Sequence, residues 1–308
     1  MNSQFPNNGY QKIDWNESDE YVRVIIKASK RQYKISLDTG KVEYEKYPGL
    51  KIGDKVNYTV SGYTGEWRVL DIGENYVKLL ATSNVETLRM DGSSESLWDE
   101  TTKSYKNGEN KLDEICKKYI NETYATEAKS IKVEDIDKIT EYKKTGYGTG
   151  EVCKYNNKVT YKLENGNIKY KVNSEDYIAS TETKFRMPTR YSEYLTETYE
   201  YEVISNYYSY DADIDTKLSD TTNNVYRMMF GNDDQVYWLS STYVNAQAGR
   251  AYFGIRTIRD GRVHGIDLWD SRLGFYSLSA GVRPVVTLKS DIKLTQTSEN
   301  SGEWNISK

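Results

Sequence analysis

Three stretches near the C-terminus decide how this chain is read: Tyr237-Trp238-Leu239-Ser240-Ser241, Ala251-Tyr252-Phe253-Gly254-Ile255-Arg256, and Gly281-Val282-Arg283-Pro284-Val285-Val286-Thr287-Leu288. In the second, Ala251, Phe253 and Ile255 alternate with Tyr252 and Arg256, the period of two that marks a half-buried strand. Arg262 and His264 alternate with Val263 in the same way. In the third, Val282, Pro284, Val286 and Leu288 share one face, and a proline inside such a run predicts an edge strand or a bulge.

Between these strands the residue alphabet changes. From Thr242 to Ala280 there is no Lys, no Glu and no Met, although the rest of the chain is rich in Lys and Glu. The segment holds the only histidine, His264, together with Arg250, Arg256, Arg259, Arg262 and Arg272. Arginine offers a rigid fork of donors and aromatic rings offer area at small entropic cost, so this mixture suits a recognition surface. The plainer alternative is a set of turns carrying solvated charges.

Composition narrows the classes. A chain of 308 residues can bury a full core, as one large domain and a small one. Its net charge of −4 argues against binding along a nucleic-acid backbone, which needs a basic footprint. Abundant tyrosine, 29 residues against 4 prolines, suits β-rich surface proteins. No apolar run is long enough to span a bilayer, so no direct membrane insertion is expected. The start, Met1-Asn2-Ser3-Gln4-Phe5-Pro6, carries no apolar signal core, which leaves a cytoplasmic protein and an excised ectodomain both open. Cys116 and Cys153 read either as two thiols or as one disulfide, and with a single histidine they cannot furnish a four-ligand zinc site.

Upstream, 21–28 and 31–37 read as strands, Asp38-Thr39-Gly40 as a turn and Lys41 to Tyr44 as a third strand, a small β-meander. Tyr47-Pro48-Gly49 marks the domain boundary. Lys55 to Val60, Glu66 to Ile72 and Tyr76 to Ala81, separated by glycine turns, form a three-stranded antiparallel pattern. Leu112, Ile115, Cys116, Tyr119 and Ile120 make the apolar stripe of an amphipathic helix, which places Cys116 on the buried face. Residues 133–139 read as a second, short helix. From Thr140 to Asn224 the pattern is weak, with strand candidates at 159–163 and 168–172, and long excursions are expected there.

Catalytic and metal motifs are poorly supported. Lys144-Thr145-Gly146 and Ser290-Asp291-Ile292-Lys293 match β-lactamase fragments in the wrong order and context. Gly146-Tyr147-Gly148-Thr149-Gly150 is not followed by a helix start and reads as a turn. Asp211-Ala212-Asp213-Ile214-Asp215 lacks the glycine and the terminal acid of a calcium loop. No serine or cysteine nucleophile pairs with His264, so no catalytic residue, no cofactor and no metal is expected.

The frame Tyr237-Trp238-Leu239-Ser240-Ser241, Ala251-x-Phe253-Gly254-Ile255-Arg256, Leu268-Trp269-x-Ser271 and Gly281-Val282-Arg283-Pro284-Val285-Val286-x-Leu288 resembles the C-terminus of the C-type-lectin-fold variable proteins of diversity-generating retroelements. These are related in fold to formylglycine-generating enzyme-like domains. Gly53-Asp54-Lys55-Val56, Glu66-Trp67-Arg68-Val69-Leu70 and the helix at 110–120 resemble the start of the same domain. In that family, randomised Asn-type codons cannot yield Lys, Glu, Gln, Met or Trp, which matches the missing Lys, Glu and Met; Gln247 and Trp269 would be fixed positions.

The resemblance implies an α+β chain: a small N-terminal β unit at 1–47 serving as an anchor or pilin-like piece, a C-type-lectin-like domain at 48–290 with antiparallel strands and two short helices, and a tail at 291–308. It implies a receptor- or adhesin-type protein, on a bacterial surface or a phage particle, that binds a protein or glycan and connects to a pilus, cell-wall or tail anchor. The variable, solvent-facing residues would be Tyr243, Asn245, Tyr252, Arg256, Thr257, Arg259, Arg262, His264, Ile266, Asp267, Asp270, Arg272 and Tyr276. Trp238, Phe253, Trp269, Gly281, Arg283 and Pro284 would form the scaffold. The signatures of calcium-dependent sugar binding and the paired cysteines of the formylglycine-generating enzyme are missing, so neither chemistry carries over. A structural pilin-like subunit without a ligand, and a glycan-acting enzyme using two carboxylates, are the alternatives.

Overall fold

A computed structural model describes residues 10–14, 21–26, 32–94, 96–99, 105–140, 157–164, 167–172, 175–178, 200–205, 212–213, 224–230, 236–247, 250–259, 262–270 and 274–308. The chain is α+β. Its body consists of two mixed seven-stranded sheets and a few short helices, and two further four-stranded antiparallel sheets are built from 10–45 and from 157–205.

The first large sheet contains the expected three-stranded pattern. Lys55–Val56, Trp67–Ile72 and Val77–Ala81 pair in sequence, with Val56 opposite Trp67 and Trp67 opposite Ala81. Pro284–Leu288 and Ala125–Ser130 continue it on one side. Lys293–Gln296 and Glu303–Ser307 close it on the other, the latter running parallel to Lys55–Val56. The segment expected as a tail is therefore a hairpin within the sheet. Leu294 and Trp304 alternate with polar neighbours and join the core, and the Trp304 indole donates to Asp54 Oδ2 at 2.9 Å. Burying one such aromatic contributes about 2–3 kcal/mol, reason enough for the segment to fold back.

The second large sheet runs, in order, Ala212–Asp213, Arg262–Asp270, Arg250–Arg259, Tyr237–Gln247, Ser277–Val282 and Glu86–Asp91, with Gly274–Phe275 beside Arg262–Asp270. The run 281–288, which reads as one strand, is split between the sheets: residues to Val282 belong to the second sheet and those from Pro284 to the first. Pro284 thus corrects the edge-or-bulge expectation. It is the first residue of a central strand, where its missing N–H breaks no ladder.

Arg283 sits fully buried at the crossing. Its guanidinium donates to the carbonyls of Ala81 at 2.8 Å, Met229 at 2.6 Å and Met228, and lies 4.6 Å from the Tyr237 ring centroid. Two of those carbonyls end the short helix α3 (Asn224–Phe230), so the cation also meets the negative end of a helix. No element is expected at 224–230 from the sequence; Met228, Met229 and Phe230 emerge as core only in the fold.

Helix α1 (Lys106–Cys116) continues into a 3₁₀ turn at Lys117–Tyr119 and carries the expected stripe, with Leu112, Ile115, Cys116 and Tyr119 all buried. Cys116 is a free thiol, and burial pushes its pKa upward; Cys153 lies outside the described residues. Helix α2 is Val133–Thr140. The larger core cluster gathers Trp67, Trp238, Trp269, Trp304, Phe253 and the stripe of α1. A second cluster, with Ile136 of α2 and Met228 and Met229 of α3, covers Tyr237, Leu239, Ile258 and Val263 on the opposite side.

The N-terminal meander contains the three expected strands, Tyr21–Ile26, Gln32–Ser36 and Val42–Glu45, and adds an unexpected fourth, Tyr10–Asp14, beside the first of them. At the predicted boundary, Tyr47 donates its hydroxyl to the Ile292 carbonyl at 2.6 Å. Among the described residues between 140 and 224, the strand candidates at 159–163 and 168–172 are strands, and layered structure stands where excursions were expected. Asn157–Glu164, Asn167–Val172, Glu175–Ile178 and Glu200–Ser205 pair into one antiparallel sheet.

Candidate functional site

The strands Tyr237–Gln247 and Arg250–Arg259 form one long hairpin, and Arg262–Asp270 pairs along its second strand. At its base the hairpin is buried on both faces. Phe253 and Ile255 join the aromatic cluster on one side, where the Phe253 and Trp269 rings lie 5.2 Å apart and Trp98 meets Phe253 at 6.2 Å. Ile258 and Leu239 join the cluster under α2 and α3 on the other. Trp238 is fixed by its indole, which donates to the Leu88 carbonyl at 2.9 Å.

Two irregularities shape this base. Trp238 pairs with Thr257, and the next pair is Thr242 with Ile255, so Leu239, Ser240 and Ser241 bulge opposite the single residue Arg256. In the neighbouring ladder Phe253 pairs with Trp269 but Gly254 with Asp267, which leaves Leu268 as the extra residue. Glycine is required at 254 because a Cβ there would land on the Ile266 carbonyl oxygen. Gly281 is likewise needed: a Cβ would strike the Asn84 side chain.

The register brings several expected site residues together. Asn245, Tyr252 and Asp270 stand in one row across three strands, and Tyr243 and Asp267 flank Gly254 in a nearby row. Thr257 pairs with His264 and Arg259 with Arg262. For Tyr243, Asn245, Tyr252 and Arg262 only these strand positions are described, and Arg272 lies outside the described residues.

Exposure divides the rest. Arg259 and Tyr276 are exposed, and His264, Ile266 and Asp267 are half-buried along the strand Arg262–Asp270. Arg256, Thr257 and Asp270 are 0%, 0% and 1% exposed and therefore do not face solvent as expected. The reason is the second cover: the strand face that carries Arg256 also carries Ile258, which α2 and α3 bury. A half-buried strand was the expectation from period two, but here both faces are covered. The expected scaffold residues Trp238, Phe253, Trp269, Gly281, Arg283 and Pro284 are all buried.

Glu200–Ser205, from the sheet at 157–205, runs beside Tyr237–Gln247 and so places that sheet next to the hairpin. Ala212–Asp213, the described part of the alternating-aspartate run, is a two-residue strand paired with Val263 and Arg262. Among the described residues no three His, Cys, Asp or Glu side chains come together to hold a metal. No helix among them is long and apolar enough to cross a membrane.

A group that sequence reasoning passed over sits at the same base. Glu109 of α1 is three residues before Leu112, hence on the stripe that packs inward, and burial pushes its carboxyl up to about 7. Its position on the stripe was the available signal, since a carboxylate among core positions is rare.

No family model matches the chain, and no curated protein or solved structure matches it. What the fold defines is a class: an α+β protein built on two mixed sheets, with a doubly covered hairpin and a partly exposed margin.

Proposed function

We propose that this protein binds a ligand through the margin formed by Arg259, His264, Ile266, Asp267 and Tyr276, joined by the strand positions Tyr243, Asn245, Tyr252 and Arg262. On this reading the scaffold is C-type-lectin-like, the segment Thr242–Ala280 is a retroelement-diversified recognition surface, and the protein works at a cell or phage surface against a protein or glycan. The observation that carries the reading is the coincidence of an altered alphabet with a rigid mount: a segment without Lys, Glu or Met lies on strands whose base is buried from both sides. A recognition surface needs such a mount, because side chains held by a packed scaffold lose less entropy on binding.

Arg256, Thr257 and Asp270 belong to the mount and not to the contact surface. The test uses the full chain against a glycan array and a panel of displayed proteins. The quadruple variant Arg259→Ala, His264→Ala, Asp267→Ala, Tyr276→Ala loses at least tenfold in affinity for whatever the wild type captures, with an unchanged melting curve. Retained binding overturns the reading. A reverse transcriptase gene beside this one, with a near-copy of the 242–280 coding segment differing at adenines, is the sign of diversification.

A further inference from the structure

The first turn of α1 lies directly under the hairpin base. A Cβ at Gly108 would displace the Ile255 side chain, so helix and strand touch there. The next residue, Glu109, accepts a hydrogen bond from the Thr242 backbone amide. Thr242 is where the regular ladder resumes after the bulge. The bulge itself is held from the side of α2: the Ser240 amide donates to the Ile131 carbonyl at 2.8 Å, and the Val133 amide donates to Ser241 Oγ at 3.1 Å. Three consecutive residues, Ser240, Ser241 and Thr242, are thus pinned, and only the last pin is titratable.

Glu109 is poorly equipped to be a carboxylate in this place. Its Oε1 is buried and has no hydrogen-bond partner among the described residues. Asp113, one turn along α1, and Glu134, from the first turn of α2, face it with like charge. Among the described residues Lys132, just before α2, is the one cation facing it. Desolvation is the main cause that raises its pKa, to about 7, opposed in part by Lys132 and the Thr242 amide. Burial also raises Glu134.

We propose that Glu109 is a proton-operated latch on the base of the hairpin: neutral, it seats Thr242 and the bulge on α1; ionised, it loosens them. The inference concerns the hairpin base and holds whether or not the margin binds a ligand. The direction follows from linkage. The folded-state value lies above the ordinary one of 4.5, so the folded chain binds the proton more tightly than the unfolded chain. The stabilisation is fully present below about 4.5, is lost as pH rises to about 7, and changes no further above that.

The test follows amide hydrogen exchange at Thr242 in the full chain from pH 5 to pH 8, corrected for the intrinsic pH dependence of exchange. In the wild type the opening equilibrium at Thr242 increases by about tenfold or more across that range. In Glu109→Gln it is flat and stays at the protected level, while Glu134→Gln retains the rise. A Glu109→Gln protein that keeps the wild-type rise overturns the latch. If that variant does not fold, carboxyl-carbon NMR of the wild type decides: a Glu109 midpoint near 7 supports the latch, and one in the ordinary carboxylate range overturns it.

Discussion

The base and the margin of the hairpin share one stretch of sequence and have opposite surroundings. At the base, Trp238, Phe253, Arg256, Thr257 and Ile258 are fully buried between two core clusters. A few residues along, Arg259 is exposed, and across the ladder His264, Ile266 and Asp267 are half-buried. Nothing in residue type separates Arg256 from Arg259; Arg256 shares the face of Ile258 under α2 and α3, whereas Arg259 ends the strand on the other face, beyond Phe253 and Ile255. A recognition segment can therefore contain residues that hold the mount, and an arginine within it is no guide to contact.

The largest break of this contrast is expected at Arg283, a fully buried cation of the mount. Arg283→Ala leaves the carbonyls of Ala81, Met228 and Met229 without their donor. Chemical denaturation should show a loss of about 3–5 kcal/mol, the range for breaking a buried charged network. A loss below about 1 kcal/mol would mean that water replaces the guanidinium without penalty, and that the crossing between sheets does not depend on it.

Gly254→Ala probes the step between mount and margin. The added Cβ meets the Ile266 carbonyl, so the bulge at Leu268 must shift. A destabilisation of about 1–3 kcal/mol is expected, the range for overpacking. The readout is the midpoint of denaturation, together with altered exposure of His264 and Asp267. Unchanged stability would show that the close approach of the two strands is loose.

The smallest stability effects belong to the margin. His264→Ala, Asp267→Ala and Tyr276→Ala should each move stability by only about 0.5 kcal/mol, as surface substitutions usually do. A calorimetric scan checks this, and a collapse at any one of them would transfer that residue from contact surface to mount.

The parts legible in advance were those governed by local periodicity. The stripe Leu112, Ile115, Cys116, Tyr119 gave the helix and its buried face. The turns around Gly62, Gly65 and Gly73 gave three strands in their correct pairing. Alternation also marked Phe253 and Ile255 as core. The same rule failed for Arg256 and Thr257, because period two reports one apolar face and is silent on whether something covers the other. It failed again at 281–288, where eight residues of uniform pattern change sheets at Arg283. The hairpin of Leu294 and Trp304 alternates clearly but lies at the chain end, and its parallel partner Lys55–Val56 is some 250 residues away in sequence.

Sequence alone determined the locally periodic elements: the three strands between Lys55 and Ala81, the stripe of α1, and the composition of Thr242–Ala280 with its absence of Lys, Glu and Met. Each of these follows from neighbours within a few residues, where backbone geometry fixes which side chains share a face. Tertiary structure alone decided which arginines are buried, where the chain crosses between sheets, and that a glutamate on a helix stripe meets the bulge of a distant hairpin. Those outcomes depend on what packs against a surface, and covering residues such as Ile131 and Ile136 are remote in sequence from the hairpin they cover.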